Sequence, residues 1–364
     1  MGKYWLLQRD VQVSKTLNGY LCRLLNRNKL IGFEQIDDGA FVNFLDYIKR
    51  TRSYDEIITW GELNSVPNEV IDSTLNTLLE NGLVISGNVY WDQEEESRLW
   101  SYFVSKSNNL DQVALASKAW SEAKVAIVGC GGVGMKVAKE LASMGVKNLV
   151  LIDPDVISSH NLTHQSYSID KVGQKKVEVL ADELHREYKT NVTALPFFIT
   201  EELSVEITSV LSTCSIVAMC ADEPSVDTLA EWVTPFLTKQ QIPHIVGGGY
   251  HGHSTSTGTT IIPGDTACWK CFDSIIESQH ELEDHQLVIP GVSGSFNPLV
   301  SILANFTVSD IIAVITKLWE PLLQNRMGDF DLLSGAFTWR DGNKKTECSQ
   351  CAHINKEENI NVYN

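Results

Sequence analysis

This sequence predicts an α/β fold, built on a mainly parallel sheet and preceded by a small unit of another kind. Three observations carry that expectation. Lys124-Val-Ala-Ile-Val-Gly-Cys-Gly-Gly-Val-Gly134 is a short β-branched apolar run ending in a glycine-rich turn, and a helix-like segment, Met135 to Met144, follows it. Strand-like runs then recur between helical stretches, at Val125–Val128, Asn148–Ile152, Val192–Phe198, Ser215–Cys220 and His244–Gly247, the alternation expected of a parallel sheet with crossover helices. The first 92 residues do not alternate in this way; they read as strands plus three helices. The expected division is a winged-helix-like α+β unit over 1–92, a linker and helix over 93–122, and a Rossmann-like unit over 123–364.

In the first unit, Tyr4–Val13, Tyr20–Arg27 and Leu30–Ile36 are expected as strands. Asp37 and Asp38 can cap a helix running to about Lys49, and Tyr54–Trp60 reads as a second helix. In Asn68–Asn81 the residues Val70, Ile71, Leu75, Leu78 and Leu79 fall at helical spacing, and Gly82 stops the helix before Leu83-Val-Ile85 and a hairpin turn at Gly87-Asn88. A winged helix commonly binds DNA, but no basic helix is present here. The acidic run Asp92-Gln-Glu-Glu-Glu-Ser97 reads as the linker.

The glycine turn is the first chemical signal. Gly129, Gly131 and Gly134 form G-x-G-x-x-G, where bare backbone lets a phosphate approach the amides at a helix N-terminus. Asp153 ends the next strand, where a carboxylate can accept bonds from a ribose hydroxyl. A dinucleotide dehydrogenase would need no more than this. The sequence continues with Asp155, Asn161-Leu-Thr-His-Gln165 and Val172-Gly-Gln-Lys-Lys176. That sequel suits a triphosphate, for which an amide and a lysine contact oxygens and carboxylates hold a metal. Asp222, after the run Ser215–Cys220, places one more carboxylate at the C-terminal edge of the sheet. Each residue also has a plainer reading: Asp153 and Asp222 as strand-end polar groups, Asp155 as a turn opener with Pro154, Lys176 as a solvated helix residue, His164 as a structural hydrogen-bonding group.

These ordered motifs resemble the ThiF/MoeB-type ATP-dependent activating enzymes, related to ubiquitin-activating proteins, from about Arg98 to the C-terminus. Within the family the layout is most similar to the peptide-modifying branch, typified by the microcin C enzyme and including a pantocin-type member. The resemblance implies that Gly129, Gly131, Gly132 and Gly134 line a phosphate turn, that Asp153 holds the ribose, that Asn161 and Lys176 contact phosphates, and that Asp222 holds Mg2+. Arg98 matches one arginine of an upstream motif that reaches a partner subunit's nucleotide; Glu95 stands near the place of its usual companion. The family's Asn-Leu-x-Arg-Gln reads Asn161-Leu-Thr-His164-Gln165 here. Histidine is shorter and only partly charged near neutral pH, so it does not copy an arginine clamp. The cofactors and partners implied are ATP, Mg2+, a homodimer and a ribosomally made precursor peptide whose leader the first unit binds.

Cys268-Trp-Lys-Cys271 and Cys348-Ser-Gln-Cys351 can together give one zinc ion four thiolates, which leaves no open position and makes the site structural. Pro263-Gly264 precedes the first pair as a turn. The rival readings are a redox dithiol or two disulfides. With no signal peptide expected, the cytoplasm is the expected location, and its reducing conditions favour zinc. Cys22, Cys130, Cys214 and Cys220 read as core thiols.

Over 364 residues the formal charge is −17, which opposes nucleic-acid binding. No run is expected to cross a membrane. Pro298–Leu318 reads as a helix whose apolar face is broken by Asn305, Thr307 and Ser309-Asp310, and 278–294 as a polar loop over the site. His280, His285, Glu281, Glu283 and Asp284 in that loop match no strong metal pattern. The function expected is ATP-dependent activation of a peptide carboxyl, captured within the same peptide by neighbouring glutamate side chains, giving a bicyclic core, or by an amide nitrogen. Adenylation of a ubiquitin-like sulfur carrier's C-terminus, a non-catalytic nucleotide-binding protein and an NAD-dependent oxidoreductase are the alternatives.

Overall fold

A computed structural model describes residues 2–25, 28–34, 39–91, 97–163, 165–272 and 296–354. The chain divides into two compact units, 1–118 and 119–364. The N-terminal one carries β1 (Tyr4–Leu7), β2 (Val11–Thr16), β3 (Gly19–Leu24), β4 (Lys29–Glu34), α1 (Ala40–Tyr47), β5 (Arg52–Ser53), α2 (Tyr54–Leu63), α3 (Asn68–Glu80), β6 (Val84–Gly87), α4 (Arg98–Lys106) and most of α5 (Leu110–Glu122). Its strands form two antiparallel sheets, β5-β1-β6 and β2-β3-β4. Trp5, Leu7, Tyr20, Cys22, Phe44, Ile57, Leu75 and Leu78 share one core.

Tyr4–Val13 does not form the single strand expected. It breaks into β1 and β2, which join different sheets, because the polar Gln8-Arg9-Asp10 turns the chain and Val11 N–H donates back to the Gln8 carbonyl. Helix α2 runs to Leu63, and Ser53 starts it with a reciprocal capping box with Glu56. The caps expected at Asp37 and Asp38 lie outside the described residues.

The C-terminal unit adds β7 (Lys124–Val128), α6 (Gly132–Ser143), β8 (Asn148–Ile152), α7 (Lys176–Tyr188), β9 (Asn191–Leu195), α8 (Val205–Leu211), β10 (Ile216–Met219), α9 (Val226–Lys239), β11 (His244–Val246), β12 (Tyr250–His251), β13 (Ser254–Ser256), β14 (Thr259–Ile261), α10 (Asn297–Thr316), β15 (Arg326–Asp331) and β16 (Ala336–Asp341). Its main sheet has the order β14-β11-β10-β7-β8-β9. All neighbours are parallel except the edge strand β14. Side chains alternate across it. Ala126, Val128, Val150, Ile152, Val217 and Met219 join Leu229, Val233 and Leu237 of α9 in one core, as strand periodicity requires. A second, antiparallel sheet, β12-β13-β15-β16, completes the unit.

Helix α10 corrects one expectation. It is long and apolar enough to cross a membrane, with a mean hydropathy of 1.9 over its best window. It is apolar all round because it is a core helix: 67% of that window is buried. Of the residues that break its apolar pattern, Asp310 is fully buried and accepts hydrogen bonds from Thr260 Oγ1 and the amides of Leu322 and Leu323. The segment 278–294, expected as a loop over the site, lies outside the described residues.

Candidate nucleotide site and cysteine cluster

The order of the parallel strands locates the site. From β7 the chain moves outward through β8 to β9, then returns to place β10 on the other side of β7. The loops after β7 and β10 therefore diverge, opening the crevice where open α/β sheets bind ligands. The glycine turn follows β7, and Ala221-Asp222 follows β10.

The two loops touch. Gly129 has a φ of +91°, and a Cβ there would lie 2.6 Å from the backbone nitrogen of Ala221. At Gly134 a Cβ would stand 1.8 Å from the Gly129 carbonyl. Both glycines are demanded by the protein's own packing. Gly131 is different: its Cβ would meet nothing nearer than Gln165 Nε2 at 3.8 Å. The space beside it is open, as close approach by a ligand requires. Gly132 is buried as the first residue of α6, which starts without a side-chain cap, so its leading amides are unclaimed by a capping residue.

Asp153 is 5% exposed. Its Oδ2 accepts the Cys130 amide at 2.6 Å and its Oδ1 the Asp155 amide at 2.8 Å. Each oxygen keeps a lone pair for a further donor. Asp155 does more than open a turn: its Oδ2 accepts Lys176 Nζ at 2.7 Å, and its carbonyl accepts the Lys176 amide. Lys176 thus begins α7 as a buried ammonium fixed by a half-exposed carboxylate. Asn161 accepts the Ser158 amide and hydroxyl through Oδ1, so its NH2 group is the end that could serve a phosphate. Gln165 is buried beside Gly131. Asp222 is exposed at the sheet edge. Gly129, Gly131, Gly132, Gly134, Asp153, Asp155, Lys176, Gln165 and Asp222 are thereby gathered around one strand edge or tied to groups on it. His164 lies outside the described residues. Arg98 belongs to the N-terminal unit, at the first turn of α4.

Tyr167 carried no signal in the sequence, yet its hydroxyl donates to the Cys130 carbonyl at 2.9 Å within the buried part of the turn. The thiols nearby are inert. Burial pushes Cys220 up to about 12 and Cys130 well above its ordinary value, so neither offers a thiolate near neutral pH.

Cys268, Cys271, Cys348 and Cys351 are all buried, with their sulfurs within 4.8 Å of one another. Cys268 lies 3.7 Å from Cys271 and 3.5 Å from Cys348, and Cys271 lies 3.6 Å from Cys351. Four sulfurs about 2.3 Å from a tetrahedral ion would be about 3.8 Å apart, so the set fits zinc. Burial pushes the Cys348 thiol up, but the amides of Gln350 and Cys351 outweigh it and bring the thiol down to about 7. The expected turn precedes the first pair, with Gly264 at φ +84°.

The ThiF family profile matches residues 107–352. The chain belongs to the ThiF family. Among ThiF-family relatives, the molybdopterin-synthase adenylyltransferase of Escherichia coli K12 is 25% identical over 205 residues, covering 56% of this chain and 77% of the relative. E. coli MccB, solved with AMPCPP and MccA, superposes with a TM-score of 0.69 at 25% identity, covering 96% of this chain and 99% of MccB. PaaA superposes with a TM-score of 0.68 at 18% identity, covering 92% of this chain and 99% of PaaA, a likeness of fold.

Proposed function

We propose that this ThiF-family chain is an ATP-dependent enzyme that adenylates a carboxyl group of a ribosomally made precursor peptide, and that the activated acyl group is captured within the same peptide. The observation that carries the reading is the meeting of the glycine turn, Asp153 and the Asp222 loop at the β7/β10 crevice, in a chain that matches MccB over 96% of its length. The sulfur-carrier alternative explains less, because the molybdopterin-synthase relative covers only 56% of the chain.

A peptide carboxylate is a poor electrophile. In the proposed step its oxygen attacks the α-phosphorus of ATP, the bond to the bridging oxygen breaks, and pyrophosphate leaves with that electron pair. An acyl adenylate remains, whose carbonyl accepts a nucleophile while AMP departs. The protein's part is positioning and neutralising charge. The turn's amides, Asn161 and Lys176 would bind phosphate oxygens, and Asp153 would orient the ribose. Asp222, exposed at the edge, would hold Mg2+, which when bound supplies positive charge against the phosphates. Zinc at the four cysteines would be structural. By the same resemblance the enzyme is a cytoplasmic homodimer in which Arg98 serves the other subunit's nucleotide; sedimentation as a monomer at micromolar concentration would contradict that role.

Leader binding is assigned to the N-terminal unit. Strand β2 is exposed along nearly its whole length, and neither it nor β4 has an outer partner strand among the described residues. Such an edge can accept an extended peptide as a further strand. Pyrophosphate release with full-length peptide and with a leaderless version tests the whole reading. The full-length peptide should turn over with the lower KM, since leader binding raises the local concentration of the reacting end. Equal KM and kcat for both peptides would remove the leader-binding assignment, and no pyrophosphate release with either would remove peptide adenylation. The product mass then separates glutamate condensation from capture by an amide nitrogen.

A further inference from the structure

Resting on the ATP-binding reading above, we propose that Tyr167 is a positioning residue that latches the glycine turn in the shape that accepts the nucleotide, by donating its hydroxyl to the Cys130 carbonyl. A glycine-rich turn has more backbone freedom than any other segment of the site, so a fixed shape needs tethers. Cys130, between Gly129 and Gly131, is held on both sides. Its amide donates to Asp153 Oδ2 at 2.6 Å, and its carbonyl accepts Tyr167 Oη at 2.9 Å. Its own side chain is fully buried, and Tyr167 is 6% exposed.

The carbonyl matters because of what shares its peptide plane. The Cys130 carbonyl and the Gly131 N–H belong to one planar trans unit and point in opposite directions. Fixing the first aims the second. The Gly131 N–H has no intramolecular acceptor among the described residues, and a Cβ on Gly131 would have no atom closer than 3.8 Å. An unclaimed donor beside open space is what an anionic oxygen would use. Tyr167 thus controls an amide it does not touch. The latch also joins the remaining groups, because Asp153 accepts the Asp155 amide and Asp155 holds Lys176. Burial, and after it the charges of Cys130 and Asp153, push the Tyr167 phenol above its ordinary value, so the donor keeps its proton throughout the working pH range.

Without the hydroxyl, the buried carbonyl loses its partner and the peptide plane is free to rotate. The competent turn becomes a fraction of the population, and apparent affinity falls by that fraction. The test is Tyr167→Phe, which keeps the ring, beside Tyr167→4-aminophenylalanine, which restores an N–H donor at the same place. Calorimetric titration with ATP and magnesium should give a dissociation constant raised about three- to tenfold for the Phe variant. The KM for ATP should rise in parallel and the KM for peptide should stay put. The amino variant should return to within about twofold of wild type, as one hydrogen bond of similar strength is replaced.

A Phe variant with wild-type ATP affinity, or with a lower melting temperature as its only change, would overturn the latch. So would a deficit that the amino variant fails to repair. If the Phe variant does not fold, the amino variant decides alone: wild-type affinity upholds the latch and weakened affinity overturns it. Wild-type protein that binds no ATP would overturn the premise itself, an outcome distinct from the others.

Discussion

The glycine turn and the cysteine cluster belong to the same unit but are built in opposite ways. At the turn the protein contributes mostly backbone. Gly129 and Gly134 have no room for a Cβ, Gly131 has room to spare, and Asp153 and Tyr167 fix the chain from either side. At the cluster it contributes side chains: four buried sulfurs converge from segments some 80 residues apart in sequence, and their spacing matches one ion. A ligand at the turn would meet a shape that exists before it arrives. An ion at the cluster would be part of the fold, since four thiols facing one another have no other partner of comparable strength. Ligand removal should therefore cost stability in one region and only activity in the other.

The largest effect is expected at the cluster. Protein purified without chelator should carry one zinc per chain by elemental analysis. Cys348→Ser, or stripping the metal, should lower the melting temperature by roughly 10 °C, because metal binding at such sites is folding free energy. ATP affinity measured well below the transition should change less than about threefold, a shift of well under 1.4 kcal/mol. An equal loss in both readouts would mean that the two regions are coupled and would break the comparison.

Next in size is Asp222→Ala. The side chain is exposed, so stability should move by less than about 0.5 kcal/mol. Pyrophosphate release should fall by about a thousandfold or more, in keeping with loss of electrostatic stabilisation of the phosphates. Wild-type release from a folded variant would remove Asp222 from the chemistry. A lowered melting temperature would instead make it a structural residue.

The same contrast explains how much was legible in the sequence. Cysteines in two C-x-x-C pairs announce their chemistry by type, and the parallel core of the sheet followed from β-branched runs between helices. Asp153 and Lys176 stood in motifs. Tyr167 did not, because a tyrosine's role here depends on which carbonyl a long loop brings to it, and no local period encodes that. Asp155 stood in the motif as a site carboxylate, but its pairing with Lys176 at 2.7 Å shows only in the fold, because the two residues lie 21 positions apart. The β1/β2 break was hidden for a related reason: apolar residues flank Gln8-Arg9-Asp10 on both sides, and only the pairing of the two strands with different sheets shows the turn. Asp310 looked like an interruption of a helix face because its partners, Thr260, Leu322 and Leu323, come from elsewhere in the chain.

The smallest effect is expected at Gly131, and setting it beside Gly134 sharpens the comparison within the turn itself. Gly134→Ala places a methyl 1.8 Å from the Gly129 carbonyl, so the backbone must move; a stability loss of about 1–3 kcal/mol is expected, with ATP binding lost alongside it. Gly131→Ala meets only the end of Gln165 at 3.8 Å, and the protein should tolerate it. If a phosphate approaches there, the added methyl obstructs it, and the ATP dissociation constant should rise about tenfold while the melting temperature holds within about 2 °C, since only strain in the complex has been added. Calorimetric titration beside thermal melts reads both quantities on one sample. An unchanged dissociation constant for Gly131→Ala would mean that the open space beside that glycine is not where the phosphates lie, and the turn would then be a packing device like the cluster.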